Sequence, residues 1–159
     1  DYFHKTAKML VDYFVKNNIS TVVIGKNNGW KNEVNLGKKN NQNFVYIPFN
    51  KIILYIKYRC EIEGIEIIER EESYTSKCSF IDMESIEKHK IYLGKRKKRG
   101  LFISKDKIQI NADINASLNI LRKEIGNDLF TNKPNSIRVF AVSPVKITTP
   151  VSGKLLIAK

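Results

Sequence analysis

The sequence I-S-T-V-V-I-G at residues 19–25 is a short β-branched run that ends at a glycine. Such a run is typical of a strand that is buried on both faces. A second run of this kind, I-E-I-I-E, occupies residues 65–69. The segment between the runs predicts a helix that begins at Pro48 and ends near Gly64. Its apolar positions recur at helical spacing: Phe49, Ile52, Ile53, Ile56 and Cys60. Strand, helix and strand in this order predict a βαβ unit with parallel strands.

The segments on either side of the first run fit this α/β pattern. Residues 1–17 also have apolar residues at helical spacing, with lysines on the opposite face, and predict a helix. Residues 26–43 are rich in Asn, Lys and Gly and predict a loop. Trp30 in this loop either packs on the fold or stacks on a nucleic-acid base.

Four segments describe the expected organisation of the chain. Residues 1–77 form the α/β part, and residues 78–110, which are polar and basic, indicate an inserted hairpin or loop. Residues 111–126 predict a last amphipathic helix, and residues 127–159, which contain three prolines, predict an irregular, mobile tail. The residues of the last helix expected to face inward are Ile114, Leu118, Ile120 and Leu121.

Length and charge narrow the functional classes. A chain of 159 residues fits one domain, and its net charge of +12 with a pI near 9.7 favours a polyanionic partner. Nucleic acid is the favoured partner, ahead of acidic lipid. The alternative explanation of the charge is a basic surface that only keeps the protein soluble. Two cysteines and no long apolar run predict an intracellular protein with no membrane contact. The chain begins with Asp1 in a helical pattern, so we expect a fragment of a longer protein.

The sequence N-A-D-I-N-A-S-L-N-I at residues 111–120 places Asp113 at the start of the last helix. Metal-dependent phosphodiester cleavage needs two or three carboxylates that share divalent ions, and Mg²⁺ prefers oxygen ligands. Asp113 is therefore a candidate metal ligand. The simpler interpretation is a helix N-cap, a role that Asp often has and that is compatible with metal binding.

Three acids follow the second run, at Glu69, Glu71 and Glu72. The first run ends in Gly25, which has no side chain to offer, but neighbouring strands lie only about 5 Å apart. A carboxylate at the end of the second strand could therefore reach the same ion. Glu72 is the preferred candidate and Glu71 the next. A solvated acidic cluster paired with Lys or Arg is the alternative, and spacing alone favours it.

A basic run lies between Gly94 and Gly100 and consists of Lys95, Arg96, Lys97, Lys98 and Arg99. Such a run binds phosphates without reading the sequence, and a solvated loop tip is the alternative. Tyr92 and Phe102 flank the run and are candidates for stacking on bases.

Several motifs together resemble the carboxyl-terminal part of the TnpB (OrfB-type) proteins, which insertion sequences encode and which are relatives of type V CRISPR effectors. They are Y-T-S-K-C-S at residues 74–79, the basic hairpin, G-L-F at residues 100–102, and N-A-D-I-N-A-S-L-N-I. D-x-x-H-K-T at residues 1–6 and F-A-V-S-P-V at residues 140–145 extend the resemblance over most of the chain.

The resemblance implies a RuvC-like nuclease with a partial RNase H-like fold, in which a guide RNA directs DNA cleavage and three acids bind Mg²⁺ or Mn²⁺. Asp113 corresponds to the third acid, and Asn115 to an Asn that supports the helix start. The strand with the first acid is expected upstream of residue 1. Gly25 stands where the second acid is usual, so either Glu72 replaces that acid or the site is inactive.

The family usually carries a zinc ribbon with two C-x-x-C pairs, of which this chain keeps Cys78. Asp82 and Ser104–Lys107 stand where other cysteines are expected, so the sequence predicts no zinc. The leading hypothesis is a fragment of a TnpB-like RNA-guided DNA endonuclease that is inactive by itself. A nuclease-dead RNA-guided DNA-binding protein, as a repressor or relic, is the alternative. A general RNA-binding module is a third hypothesis, which the α/β pattern disfavours.

Overall fold

Helices and strands alternate in the first half of the chain. The computed structural model describes residues 2–26, 49–131, 146–148 and 156–158. The first four elements are α1 (Tyr2–Lys16), β1 (Thr21–Lys26), α2 (Phe49–Ile62) and β2 (Glu66–Glu71). The predicted loop with Trp30, the helix start at Pro48 and the F-A-V-S-P-V motif lie outside the described residues.

The strands β1 and β2 are neighbours in a two-stranded sheet. Thr21 donates to Glu66 at 3.4 Å, and Lys26 donates to Glu69 at 2.6 Å. These contacts advance in the same direction along both strands, so the strands are parallel and that prediction is confirmed. The burial prediction for the first strand is wrong, because β1 is half-buried in its centre and exposed at both ends.

The chain divides into two compact units, of which the first comprises residues 1–22, 28–68 and 147–159. Here α1 packs against α2. Val11, Cys60 and Ile65 are buried at the centre of this core, so Cys60, one of the apolar positions of the predicted helix, is a core residue. Burial raises the pKa of that thiol, so it stays protonated at neutral pH.

The second unit comprises residues 23–27 and 69–146 and contains the predicted hairpin. The strands β3 (Lys95–Lys98), β4 (Leu101–Ile103) and β5 (Gln109–Ile110) form an antiparallel sheet in that order. A register shift between Arg96 and Lys98 marks a bulge in β3. The prediction of a basic hairpin in this part of the chain is therefore confirmed.

The second unit also contains α3 (Ala112–Ile125) and α4 (Asp128–Thr131). Its apolar core is formed by Phe80, Ile81, Phe102, Ile110, Ala112 and Phe130. The tail, which was predicted to be irregular, includes α4 and a pair of short strands, β6 (Lys146–Thr148) and β7 (Leu156–Ala158).

Three of the four buried residues of α3 are polar. Asn115, Asn119 and Arg122 are 0%, 0% and 4% exposed, and we call them the polar ladder. The predicted inward residues Ile114, Leu118 and Leu121 are only partly buried against the core. The helix therefore turns both an apolar and a polar surface toward the rest of its unit.

The polar ladder holds the turns that follow β2. Asn115 accepts a hydrogen bond from the Phe80 amide at 2.9 Å and donates to the Cys78 carbonyl at 2.9 Å, so its side chain links the first turn of α3 to the segment that follows β2. Asn119 donates to the carbonyls of Thr75 and Cys78 at 2.9 and 2.8 Å. These bonds order a segment that has no apolar periodicity of its own.

In the ranges that the structure describes, every helix is too short or too polar to cross a membrane.

Candidate active site

The N-cap of α3 is Asn111, which corrects the prediction that Asp113 has this role. The Asn111 side-chain oxygen accepts from the amides of Asp113 and Ile114 at 2.8 and 3.2 Å. Asp113 lies in the first helical turn, where the helix dipole favours a negative charge. Its side chain is 81% exposed. The helix start therefore leaves the Asp113 carboxylate accessible to a cation.

Glu72 lies against the end of β1 at Gly25. A Cβ atom at Gly25 would lie 2.8 Å from Oε2 of Glu72 and 2.7 Å from Cδ1 of Ile120. Real Cβ contacts are longer than this, so the Glu72 carboxylate occupies space that a side chain at position 25 would otherwise use. Among the described residues, none donates a hydrogen bond to this carboxylate.

The two neighbouring acids behave differently from Glu72. Glu69 pairs with Lys26 at 2.6 Å, and Glu71 pairs with Lys123 at 2.9 Å. The hydrogen bond from the Ser73 hydroxyl, and then the bond from Lys123, hold the pKa of Glu71 below its usual range. For Glu69 and Glu71 the alternative of an acidic cluster paired with lysines is therefore confirmed.

Asp113 and Ile120, the residue that borders Gly25 together with Glu72, lie on one face of α3. Ile120, which borders Gly25 with Glu72, follows Asp113 by seven residues, or two turns and roughly 10 Å along the helix axis. Helical side chains lean toward the N terminus, so Ile120 reaches toward the end that carries Asp113. The described residues form no group of three or more metal-ligating side chains, so these two acids are at most part of a metal site.

The donor chemistry of Glu72 and Asp113 fits Mg²⁺ or Mn²⁺. Both side chains offer carboxylate oxygens, the ligands that these hard cations prefer. Mg²⁺ usually keeps several waters, so it needs few ligands from the protein.

The strand β3 brings the basic run to the Asp113 end of α3, a contact that the sequence did not predict. Arg96 Nη2 lies 3.7 Å from Asp113 Oδ1. This pair is exposed and contributes little to stability, since surface ion pairs are worth about 0–1 kcal/mol. The other four cations of the run, Lys95, Lys97, Lys98 and Arg99, are exposed. Arg96 therefore links the candidate phosphate-binding strand to the candidate metal ligand.

One of the two predicted stacking residues is unsuitable for this role. Phe102 is fully buried in the core and cannot stack on a base. Tyr92 is half-buried and lines an open cleft of about 280 Å³, together with Ser76, Lys77, Gly94, Lys95 and Arg96. Tyr92 therefore remains a candidate for stacking on a base, and the cleft that it lines contains three cationic side chains.

The residues at the expected zinc positions do not fit a structural zinc site. Asp82 accepts a hydrogen bond from the Lys105 amide at 2.9 Å, and Ser104 accepts from the Ile108 amide at 3.0 Å. Lys107 is a cation, and Cys78 is a free, buried thiol whose pKa is raised by burial. A structural zinc site needs four Cys or His ligands, and these positions supply hydrogen bonds between turns instead.

Part of the sequence matches a known domain family, and the fold is similar to a solved structure. Residues 49–120 match the family model of the Cas12f1-like TNB domain. Among solved structures, the chain is similar to Cas12f1 in the cryo-EM structure of the Cas12f1–sgRNA–target DNA complex, with 25% identity and a TM-score of 0.55. The match covers 75% of this chain and 32% of that chain. No curated protein sequence matches this chain significantly.

These matches define the class of the protein as an α/β chain with a Cas12f1-like TNB domain. Residues 49–120 thus carry a Cas12f1-like TNB domain, a domain of the TnpB (OrfB-type) family, and the resemblance predicted from the motifs is confirmed for this part of the chain. The matched segment, residues 49–120, includes Glu72, the basic run and Asp113. The chain spans about a third of the length of the Cas12f1 chain.

Proposed function

We propose that this chain is the carboxyl-terminal part of an RNA-guided DNA endonuclease of the RuvC type, in which Glu72 and Asp113 are two of the acidic metal ligands. On this proposal, β1, α2 and β2 belong to an RNase H-like fold. The main support is the position of Glu72, whose carboxylate fills the space that a side chain at Gly25 would use. An acid is thereby supplied at the end of β1 by the neighbouring strand.

The residues of the site would act in three ways. Asp113 and Glu72 would hold Mg²⁺ or Mn²⁺, which when bound activates a water molecule and stabilises the leaving oxygen of the phosphodiester. Arg96, which lies beside Asp113, would bind a phosphate oxygen of the substrate at that point. The exposed cations of β3 would neutralise the flanking phosphates.

The proposed partners are DNA and a guide RNA. The similar Cas12f1 structure contains an sgRNA and target DNA. The net charge of +12 and the cleft beside Tyr92 support nucleic-acid binding by this chain. Tyr92 would stack on an unpaired base while Lys77 and Lys95 contact the backbone.

Two variants test the proposal: one removes the carboxylate at position 72, and the other also places a carboxylate at position 25. Glu72→Ala is expected to weaken Mn²⁺ binding and to lower DNA cleavage on the order of a hundredfold, because one metal ligand is lost. Gly25→Glu combined with Glu72→Ala is expected to recover part of both, since the new carboxylate enters the vacated space. Mn²⁺ affinity is measured by electron paramagnetic resonance, and cleavage with the protein from its complete reading frame and its co-purified RNA.

Gly25→Gln combined with Glu72→Ala is the matched control, because it has the same shape without the charge and should recover neither quantity. If wild type cleaves DNA and Glu72→Ala cleaves at the same rate, Glu72 is not a ligand. If wild type binds guide RNA and DNA but cleaves neither strand, the protein is nuclease-dead. Gly25, which stands where the second acid is usual in the family, favours that second candidate function.

The basic strand gives a separate prediction about DNA affinity. Changing Lys97, Lys98 and Arg99 to Gln is expected to weaken duplex DNA binding and to reduce the slope of log K against log salt by up to about 0.9 per lost phosphate contact. Fluorescence anisotropy over a salt series measures this slope. A control variant with Gln at Lys8, Lys16 and Lys51, which are also exposed, removes the same charge from the first unit. Equal slopes for the two variants would show that β3 makes no specific contact.

A further inference from the structure

Lys123 holds the backbone on both sides of Glu72. Its ammonium donates to the Glu71 carbonyl at 3.1 Å and to the Ser73 carbonyl at 2.9 Å. A third bond reaches the Glu71 carboxylate at 2.9 Å. The Lys123 side chain is 19% exposed, and the Glu71 side chain is 54% exposed. The three donors of one ammonium are thus directed at the residues immediately before and after Glu72.

The backbone of Glu72 itself is fixed from the same helix. The Glu72 carbonyl accepts from the amide and the hydroxyl of Thr75 at 3.2 and 2.7 Å. Thr75 is 2% exposed, and its own carbonyl accepts from Asn119. Asn119 and Lys123 are one turn apart on α3, so their side chains lie on one face of the helix.

Ile120 of the same helix borders the Glu72 carboxylate at Gly25. Helix α3 therefore holds the turn at Glu72 through Asn119 and Lys123 and flanks its carboxylate through Ile120. A glutamate at the end of a half-exposed strand has many rotamers, and their loss on metal binding is costly unless the backbone is already fixed.

We propose that Lys123 is a positioning residue that fixes Glu72 for metal binding. The inference rests on the proposed function, because it assumes that Glu72 is a metal ligand. Lys123 does not contact the metal or the substrate on this proposal. It acts through the carbonyls of Glu71 and Ser73, and groups that orient metal ligands are typically worth about 10- to 100-fold in metal affinity.

The direction in which metal affinity changes when Lys123 is replaced distinguishes a positioning role from a purely electrostatic one. A cation near a metal site repels the metal ion, so removing the Lys123 charge would strengthen metal binding if charge were its only contribution. If Lys123 positions Glu72, its removal weakens metal binding instead. The conservative change Lys123→Arg keeps the charge, but its planar guanidinium cannot direct three donors from one nitrogen.

The experiment compares Mn²⁺ affinity, measured by electron paramagnetic resonance on the full chain, for wild type, Lys123→Met, Lys123→Arg, Lys16→Met and Glu72→Ala. Lys123→Met is expected to weaken Mn²⁺ binding about tenfold, Lys123→Arg less, and the control Lys16→Met not at all. Amide hydrogen exchange of residues 70–75 is expected to increase in Lys123→Met. Circular dichroism confirms that each variant is folded at the temperature used.

The outcomes distinguish failure of the positioning role of Lys123 from failure of the proposed function, in which Glu72 is a metal ligand. If Glu72→Ala weakens Mn²⁺ binding and folded Lys123→Met binds as tightly as wild type or more tightly, the positioning role is wrong and the proposed function stands. If Glu72→Ala leaves Mn²⁺ binding unchanged, or wild type binds no Mn²⁺, the proposed function fails and the positioning role fails with it.

Discussion

The change Asp113→Asn is expected to lower metal-dependent DNA cleavage by at least about a thousandfold while the protein stays folded. Loss of a carboxylate ligand removes several kcal/mol of transition-state stabilisation, and each 1.36 kcal/mol corresponds to about a factor of ten in rate. The fold should tolerate the change, because Asn111 caps the helix and the Asp113 side chain is 81% exposed. The lost interaction with the helix dipole costs about 0.3–1 kcal/mol.

Single-turnover cleavage over a Mg²⁺ series by the protein from its complete reading frame with its co-purified RNA, together with thermal unfolding, measures both parts of this expectation. Asp106→Asn is the matched control, since Asp106 is an exposed aspartate in the turn between β4 and β5. A cleavage rate for Asp113→Asn within tenfold of wild type would show that Asp113 is not a ligand. Arg96 would then remain the only candidate site residue at that end of α3.

The α/β core was predictable because the sequence pattern of each strand and helix lies within a single short segment. In β1 and β2 the β-branched runs are short and bounded by glycine, and in α1 and α2 the apolar residues recur at helical spacing. A strand or helix period can be read from one segment without its neighbours. The basic hairpin was predictable for a similar reason, since charge and flanking glycines leave few alternatives for residues 94–100.

The polar ladder was not predictable, because its partners are distant in sequence. Asn115, Asn119 and Arg122 have the spacing of a solvated helix face, and each of them bonds to a residue between 75 and 84. The sequence pattern predicted an apolar inner face for the same helix, and the apolar residues were only partly buried. Polar residues at helical spacing can bury as completely as apolar ones when backbone carbonyls and amides meet them.

The site was partly predictable for the same physical reasons. The spacing of neighbouring strands allowed an acid at the end of the second strand, with Glu72 as the first candidate and Glu71 as the next. The structure separates the two, since Glu71 pairs with Lys123 and Glu72 lies against Gly25. The cap was placed two residues too late, at Asp113 instead of Asn111. Both Asn and Asp are good N-caps, so the choice depends on where the helix begins, which a sequence pattern locates poorly.

The polar ladder gives the second large expected effect, on stability. Asn119→Ala is expected to destabilise the second unit by about 3–5 kcal/mol, which is a large share of the stability of an ordinary domain. The change leaves the buried carbonyls of Thr75 and Cys78 without this donor. It also removes the oxygen that accepts from Arg122 at 2.9 Å. Each buried polar group left unpaired costs about 1–3 kcal/mol, and charged groups cost more.

Arg122 makes the loss of Asn119 more costly because its guanidinium is buried. Burial lowers the pKa of Arg122, but the group remains charged at neutral pH, so its donors must keep acceptors. The remaining bonds go to the Glu84 carbonyl at 3.1 Å and to the Asn127 side chain at 2.9 Å. Two bonds to a buried cation stabilise it less than three do.

Urea unfolding followed by circular dichroism measures this effect as a shift of the transition of the second unit by roughly 1–5 M, for a slope of about 1–3 kcal/mol per molar. Ser117→Ala on the same helix is the control, because Ser117 is exposed and donates only to the carbonyl of Asp113 among the described residues. Its expected effect is within about 0.5 kcal/mol. If Asn119→Ala unfolds at the same urea concentration as Ser117→Ala, the turns at residues 75–80 do not depend on α3, and the positions of Thr75 and Glu72 must be set by the strand β2 alone.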